Sequence, residues 1–208
     1  MDLMEGLSDE ELLPLIAAGH VPAFEAIYER RQAGIYRFAL RMSGCQSMAE
    51  DVTQDVFVAL MRDAGQYDSA RGSVSAYLYG MARNRVLRLL QRDRAFSANT
   101  QTSGEDQLSD GALILRDDPL VLLARSEAIE SVRRAVLALP LHYREVVVLC
   151  NLQEMSYAEA AQVLGCAVGT VRSRLHRARE LLIRKLREDP RSGPENSADS
   201  VCLRTQTL

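Results

Sequence analysis

Arg172, Ser173, His176 and Arg177 are side chains of the kinds that meet base edges in a DNA groove. Their spacing gathers them on one side of a helix of about 3.6 residues per turn. Val171, Leu175, Ala178 and Leu182 fall on the other side and should pack inward. Arg174 and Arg179 flank the polar face and suit phosphates, and Thr170 stands at the helix start. For an isolated basic helix, a solvated face covered by Arg would be the better reading. The residues upstream shift the balance. Ser156-Tyr157-Ala158-Glu159 has the form of a capping box, a short helix would follow through Ala160, Ala161 and Leu164, and Gly165 would end it. A capped short helix, a Gly turn and a second helix with a basic face make a helix-turn-helix.

Two further constellations lie upstream. Tyr77, Tyr79, Arg83, Asn84, Arg85 and Arg88 follow the loop Gln66 to Ser73. Aromatics, a carboxamide and Arg together can hold unstacked single-stranded bases, although Tyr in a helix is more often core. Nearer the N-terminus, Ser47-Met48-Ala49-Glu50 reads as a second capping box. The helix behind it would pack Val52, Val56, Ala59 and Leu60 inward and show Glu50, Asp51, Gln54, Val58 and Met61. An acidic face with exposed apolar residues suits protein docking, and a merely solvated face fits about as well without context. Glu50, Asp51 and Asp55 could be imagined as metal ligands, but with no His or second acidic cluster a solvated or docking face is the far better reading.

The elements that position these residues are helical. With 47% hydrophobic residues, 12 Gly and 6 Pro in 208 residues, the chain has a core's worth of apolar surface and too few turn formers for an all-β fold. The expected fold is all-α: two small helical domains joined by a flexible linker, the C-terminal one a helix-turn-helix. The boundaries read as 14–94, an acidic linker 95–118, 119–188, and a disordered tail 189–208. Asp118-Pro119 reads as a helix cap and first helical residue. Val146 to Leu149 is β-branched enough for a strand, yet its helical neighbours favour a core helix. The net charge is -3, but residues 83–94 carry five Arg and one Asp, and 170–188 carry seven bases and two acids. Two basic segments in an acidic chain are footprints for a polyanion. The four cysteines form no C-x-x-C pair, so no metal, cofactor or disulfide framework is expected, and a cytoplasmic protein without a membrane span is. No phosphate-cradling loop or catalytic triad stands out, which argues against an enzyme.

Leu139-Pro140-Leu141-His142-Tyr143-Arg144-Glu145, then Met155 to Ala161, then Val168-Gly169-Thr170-Val171-Arg172-Ser173-Arg174-Leu175, resemble the promoter-reading domain of extracytoplasmic-function (ECF) sigma factors. Ala49 to Phe57 resembles their polymerase-clamp helix, and Ala82-Arg83-Asn84-Arg85 their promoter-melting helix. The resemblance spans residues 14–188 in order. It implies an alternative sigma factor, not an enzyme, that binds core RNA polymerase at the beta-prime clamp and beta flap. It implies that Glu50, Asp51, Gln54 and Asp55 dock on the clamp, and that Tyr77, Tyr79, Arg83, Asn84, Arg85 and Arg88 take the minus-ten element. It further implies that Thr170, Arg172, Ser173, Arg174, His176, Arg177 and Arg179 read the minus-thirty-five element, and that an anti-sigma factor is a partner. A helix-turn-helix regulator independent of polymerase is the alternative; it explains the C-terminal motif but neither upstream helix.

Overall fold

A computed structural model describes residues 6–99 and 119–188. Among these the chain is helical and contains no strand. The first four helices are α1 (Asp9–Ala17), α2 (Val21–Ser43), α3 (Gln46–Asp63) and α4 (Val74–Asn99). The second four are α5 (Pro119–Leu137), α6 (Leu141–Val147), α7 (Tyr157–Leu164) and α8 (Val168–Glu188). Asp118, most of the expected linker and the expected tail lie outside the described residues. α4 continues five residues past Arg94, because nothing before Gly104 interrupts a helix.

Helix ends follow local chemistry, with one correction at each side of α2. The chain turns helical at Asp9, earlier than the pattern from Pro14 indicated. Ser8 and Glu11 form a capping box: the Ser8 amide donates to the Glu11 carboxylate at 2.7 Å, and the Glu11 amide to the Ser8 hydroxyl at 3.3 Å. Asp9, Glu10 and Glu11 then sit at the positive helix pole. The box expected at Ser47 to Glu50 does not form. Gly44 ends α2 in the left-handed region, Cys45 is extended, and α3 starts at once, so Ser47 is already inside the first turn and the cap residue is Cys45.

Within the first group, Ile27, Ile35, Phe38 and Met42 of α2 pack with Val52, Val56 and Leu60 of α3 and Leu78, Ala82 and Val86 of α4. Asp9 is buried there and is paired with Arg30 at 3.2 Å and Arg31 at 2.5 Å, which compensates its desolvation. In the second group, Val146, Val147, Val148 and Leu149 are all at most 3% exposed. They are helical, as their neighbours required; α6 widens into a π turn over Val148–Leu152. They pack on Val171, Leu175 and Ala178 of α8.

The two groups share one continuous core and pack against each other, which local periodicity did not indicate. α7 lies on α4, while α5 and the π turn lie on α2. Gly34 of α2 is needed at this seam: a Cβ there would come within 2.8 Å of the Tyr79 hydroxyl.

Candidate nucleic-acid and polymerase interfaces

The C-terminal motif is built as its sequence indicated. The Glu159 amide donates to the Ser156 hydroxyl at 3.2 Å, and the Ser156 amide to the Glu159 carboxylate at 3.1 Å. The Ser156 hydroxyl also donates to the Glu159 carboxylate at 2.8 Å, and this bond foremost, with that from the Ser156 amide, holds the Glu159 carboxyl below its ordinary value. Gly165 closes α7 at φ 63°, in the left-handed region, and α8 starts three residues later. On α8, Val171, Leu175 and Ala178 are buried and Leu182 is half-buried. Arg172, Ser173, His176, Arg177 and Arg179 are exposed, while Thr170 and Arg174 are half-buried. Three contacts organise the outer face. The Arg172 guanidinium lies over the Tyr157 ring, 6.0 Å from its centre. His176 lies 3.4 Å from Glu180. The Ser173 hydroxyl donates to the Thr170 carbonyl at 3.0 Å, so its oxygen remains as an acceptor.

α4 does not bring its six candidate residues together. At about 100° per residue, Tyr77, Asn84 and Arg88 lie within a narrow arc, Arg85 beside it, and Tyr79 and Arg83 some 200–240° away. The surroundings follow that division. Tyr77 is half-buried against Tyr67, ring centres 5.6 Å apart. The two rings line a pocket with Gln66, Asp68, Arg71 and Asn84. Arg88 is exposed. Arg85 donates to Asp55 of α3 at 2.9 Å. Tyr79 instead is buried edge-on against Phe38, and its hydroxyl donates to Gln153 at 2.9 Å. Burial pushes the Tyr79 phenol up, so it stays a donor. Arg83 donates to Glu145 at 2.6 Å. Tyr77, Asn84, Arg85 and Arg88 therefore face outward, while Tyr79 and Arg83 face the C-terminal helices.

On α3, Val52, Val56, Ala59 and Leu60 are buried, and Glu50, Asp51, Gln54 and Asp55 are exposed beside Val58 (56% exposed) and Met61 (58%). Asp55 is held by Arg85, whereas Glu50 accepts from the Gln46 carboxamide at 3.0 Å. α2 contributes a wall that residue types in α3 alone did not reveal. Phe24, Tyr28 and Tyr36 line a groove with Glu50, Gln54, Phe57, Val58 and Met61. The Tyr28 ring stands edge-on to Phe57 at 4.8 Å. An apolar floor with an acidic rim has the make-up of a protein-docking surface.

Residues 27–96 match the family described as Sigma-70 region 2, and residues 129–182 match Sigma-70, region 4. The chain is 31% identical over 181 residues to the ECF RNA polymerase sigma factor SigW of Bacillus subtilis, covering 83% of this chain and 94% of that protein. It is 33% identical over 184 residues to SigM of Mycobacterium tuberculosis, covering 86% and 85%. Among solved structures, CnrH in complex with the cytosolic domain of CnrY superposes with a TM-score of 0.64 at 27% identity, over 87% of this chain and 98% of that one. The sigma factor RpoE of Bartonella quintana, solved with the anti-sigma factor NepR, shares the fold at a TM-score of 0.65 and 22% identity, over 80% and 98%. The two matched regions fall on the two helical groups, the capped α7, the Gly turn and most of α8 lie inside the second, and the chain belongs to the ECF RNA polymerase sigma factors, which bind core polymerase and direct it to promoters.

Proposed function

We propose that the chain divides its work among three surfaces. The groove between α2 and α3, rimmed by Glu50, Asp51 and Gln54, docks on the polymerase clamp, and Asp55 steadies it through Arg85. The outward arc of α4, with Tyr77, Asn84, Arg85 and Arg88, takes the unpaired minus-ten strand: Tyr77 and Tyr67 supply stacking surfaces and the Arg side chains supply charge. The outer face of α8 reads the minus-thirty-five duplex, Arg172, Ser173, His176 and Arg177 at base edges and Arg174 and Arg179 at phosphates, with Thr170 near the helix N-terminus. The observation that carries this reading is α8, whose Arg172, His176, Arg177 and Arg179 stand outward while Val171, Leu175 and Ala178 are buried on the partner helices.

The chain itself then performs no catalysis; polymerase supplies the chemistry and this protein supplies address and strand capture. Its place of work is the cytoplasm, where polymerase is, and no helix among the described residues is long and apolar enough to cross a membrane. An anti-sigma factor is a fitting partner, because the similar folds include a sigma factor solved with one. Run-off transcription with core polymerase on genomic promoter fragments tests the reading. Specific transcripts are expected only when core and this chain are both present. Promoter binding and activation equally strong without core would overturn it.

A further inference from the structure

Tyr157 belongs to none of the three surfaces, yet its ring meets the reading face of α8. It is the first residue of α7, set directly behind the Ser156 cap. The bonds between Ser156 and Glu159 hold that turn and so fix where the Tyr157 side chain leaves the backbone. Tyr157 stands one turn before Ala160 and Ala161, which are buried in the core. Its own side chain is 38% exposed, and the Arg172 guanidinium carbon lies 6.0 Å from the centre of its ring. Among the described residues of α8, no other arginine lies over a ring.

We infer that Tyr157 is a positioning residue for promoter reading: its ring sets the direction in which Arg172 presents its guanidinium to a base edge. The inference rests on the base-reading role proposed for Arg172. An exposed arginine samples many rotamers, and fixing it at a base cancels part of the contact's strength. A ring beneath the charge narrows those rotamers before DNA arrives. The kind of neighbour matters. A carboxylate accepts from the N–H fork, as Asp55 does from Arg85. A ring instead attracts the cation through its face and leaves the in-plane N–H groups for the two acceptors of a base. The helix-turn-helix then reads as one unit, in which the first helix, held by its cap, aims a side chain of the second. The other role open to a tyrosine here is to cover the apolar contact between α7 and α8. Cover alone affects stability and leaves the choice of promoters unchanged.

The test transcribes one promoter library with holoenzymes carrying the full-length chain as Tyr157→Leu, Tyr157→Phe, Arg172→Ala, or Tyr157→Leu with Arg172→Ala. Leu keeps the apolar cover, and Phe keeps the ring while losing the hydroxyl. Tyr157→Leu should relax preference about two- to fivefold at the same base positions that Arg172→Ala relaxes, the size of an exposed cation–ring contact. In the double variant the Leu change should add nothing further to the ranking. Tyr157→Phe should rank promoters as the wild type does. In the free chain, nuclear magnetic resonance signals of the Arg172 side chain should carry an upfield ring-current shift in the wild type and the Phe variant, and lose it in the Leu variant. A Tyr157→Leu variant that lowers all promoters alike, or whose effect adds in full to that of Arg172→Ala, overturns the positioning role. A Phe variant that behaves like Leu also overturns it and moves the role to the hydroxyl, whose natural target is a phosphate. Absence of the ring-current shift in the wild type overturns the contact itself. If Arg172→Ala alone leaves the ranking unchanged, base reading by Arg172 fails, an outcome distinct from the failure of Tyr157→Leu alone to change it.

Discussion

Arg172 and Arg179 lie seven residues apart and leave α8 in nearly the same direction, so what separates them is position along the helix, Arg179 standing two turns beyond Arg172. Arg172 shares its side with His176 and is steadied over the Tyr157 ring near the start of α8, whereas Arg179 stands two turns further along that side, away from that ring. Replacing Arg172 by Ala should cost about 1–3 kcal/mol at its preferred base and reorder the promoters used. Replacing Arg179 by Ala should weaken all promoters alike and lower the salt slope by about one unit. A promoter library transcribed by each holoenzyme checks both, and an Arg179 variant that reorders the library would reverse the assignment. These faces of α8 were legible in the sequence because apolar residues at helical spacing fix which side is buried. α4 was less legible. Tyr79 and Arg83 have the chemistry of strand-binding residues and were grouped by type. The same helical arithmetic puts them opposite Tyr77 and Asn84. What they meet there, Gln153 and Glu145, lies more than sixty residues away in the chain and leaves no local signal.

At the scale of elements, capping and groove formation decide which surfaces hold their shape. Among the described residues three sites have the S-x-x-E pattern; those at Ser8 and Ser156 became caps and the one at Ser47 did not. At Ser47 the left-handed Gly44 and extended Cys45 set the helix start earlier, a choice made by the preceding turn and not by the pattern itself. Ser156→Ala should therefore cost about 1 kcal/mol in urea unfolding of the C-terminal helices and weaken minus-thirty-five binding. Ser47→Ala should change stability little. Because Glu159 is held below its ordinary carboxyl value, its share of the box is complete above about pH 4.5 and is lost as the pH falls through its lowered value. On α3 the acidic rim was legible, but the aromatic wall from Phe24 and Tyr28 was not, since it is made by a second helix. Asp51→Lys should reduce affinity for core polymerase several-fold, mostly through slower association at low salt, with helical circular dichroism unchanged. Equal core affinity in a titration would remove Asp51 from the docking surface.

For the whole molecule, charge and packing act in opposite senses. The chain carries a net charge of -3, yet the outward arcs of α4 and α8 are basic, so attraction of a polyanion depends on which arcs are uncovered. The outer face of α8 is exposed, while the α4 pocket is walled on one side by Gln162 and Val163 of α7. Cutting the chain at a protease site inserted between residues 105 and 106 removes the covalent connection between the two helical groups and leaves the seam. In the uncut chain, covalent linkage gives the two halves an effective concentration of up to about the millimolar range. Once cut, only the seam's own affinity remains. At about 10 µM the two pieces should still elute together on gel filtration, because the seam combines a shared apolar core with the Arg83 and Tyr79 contacts. With Glu145→Gln in the cut chain, the same column should resolve two helical species. Separation of the unmutated pieces at that concentration would mean that the tether, and not the seam, holds the halves together.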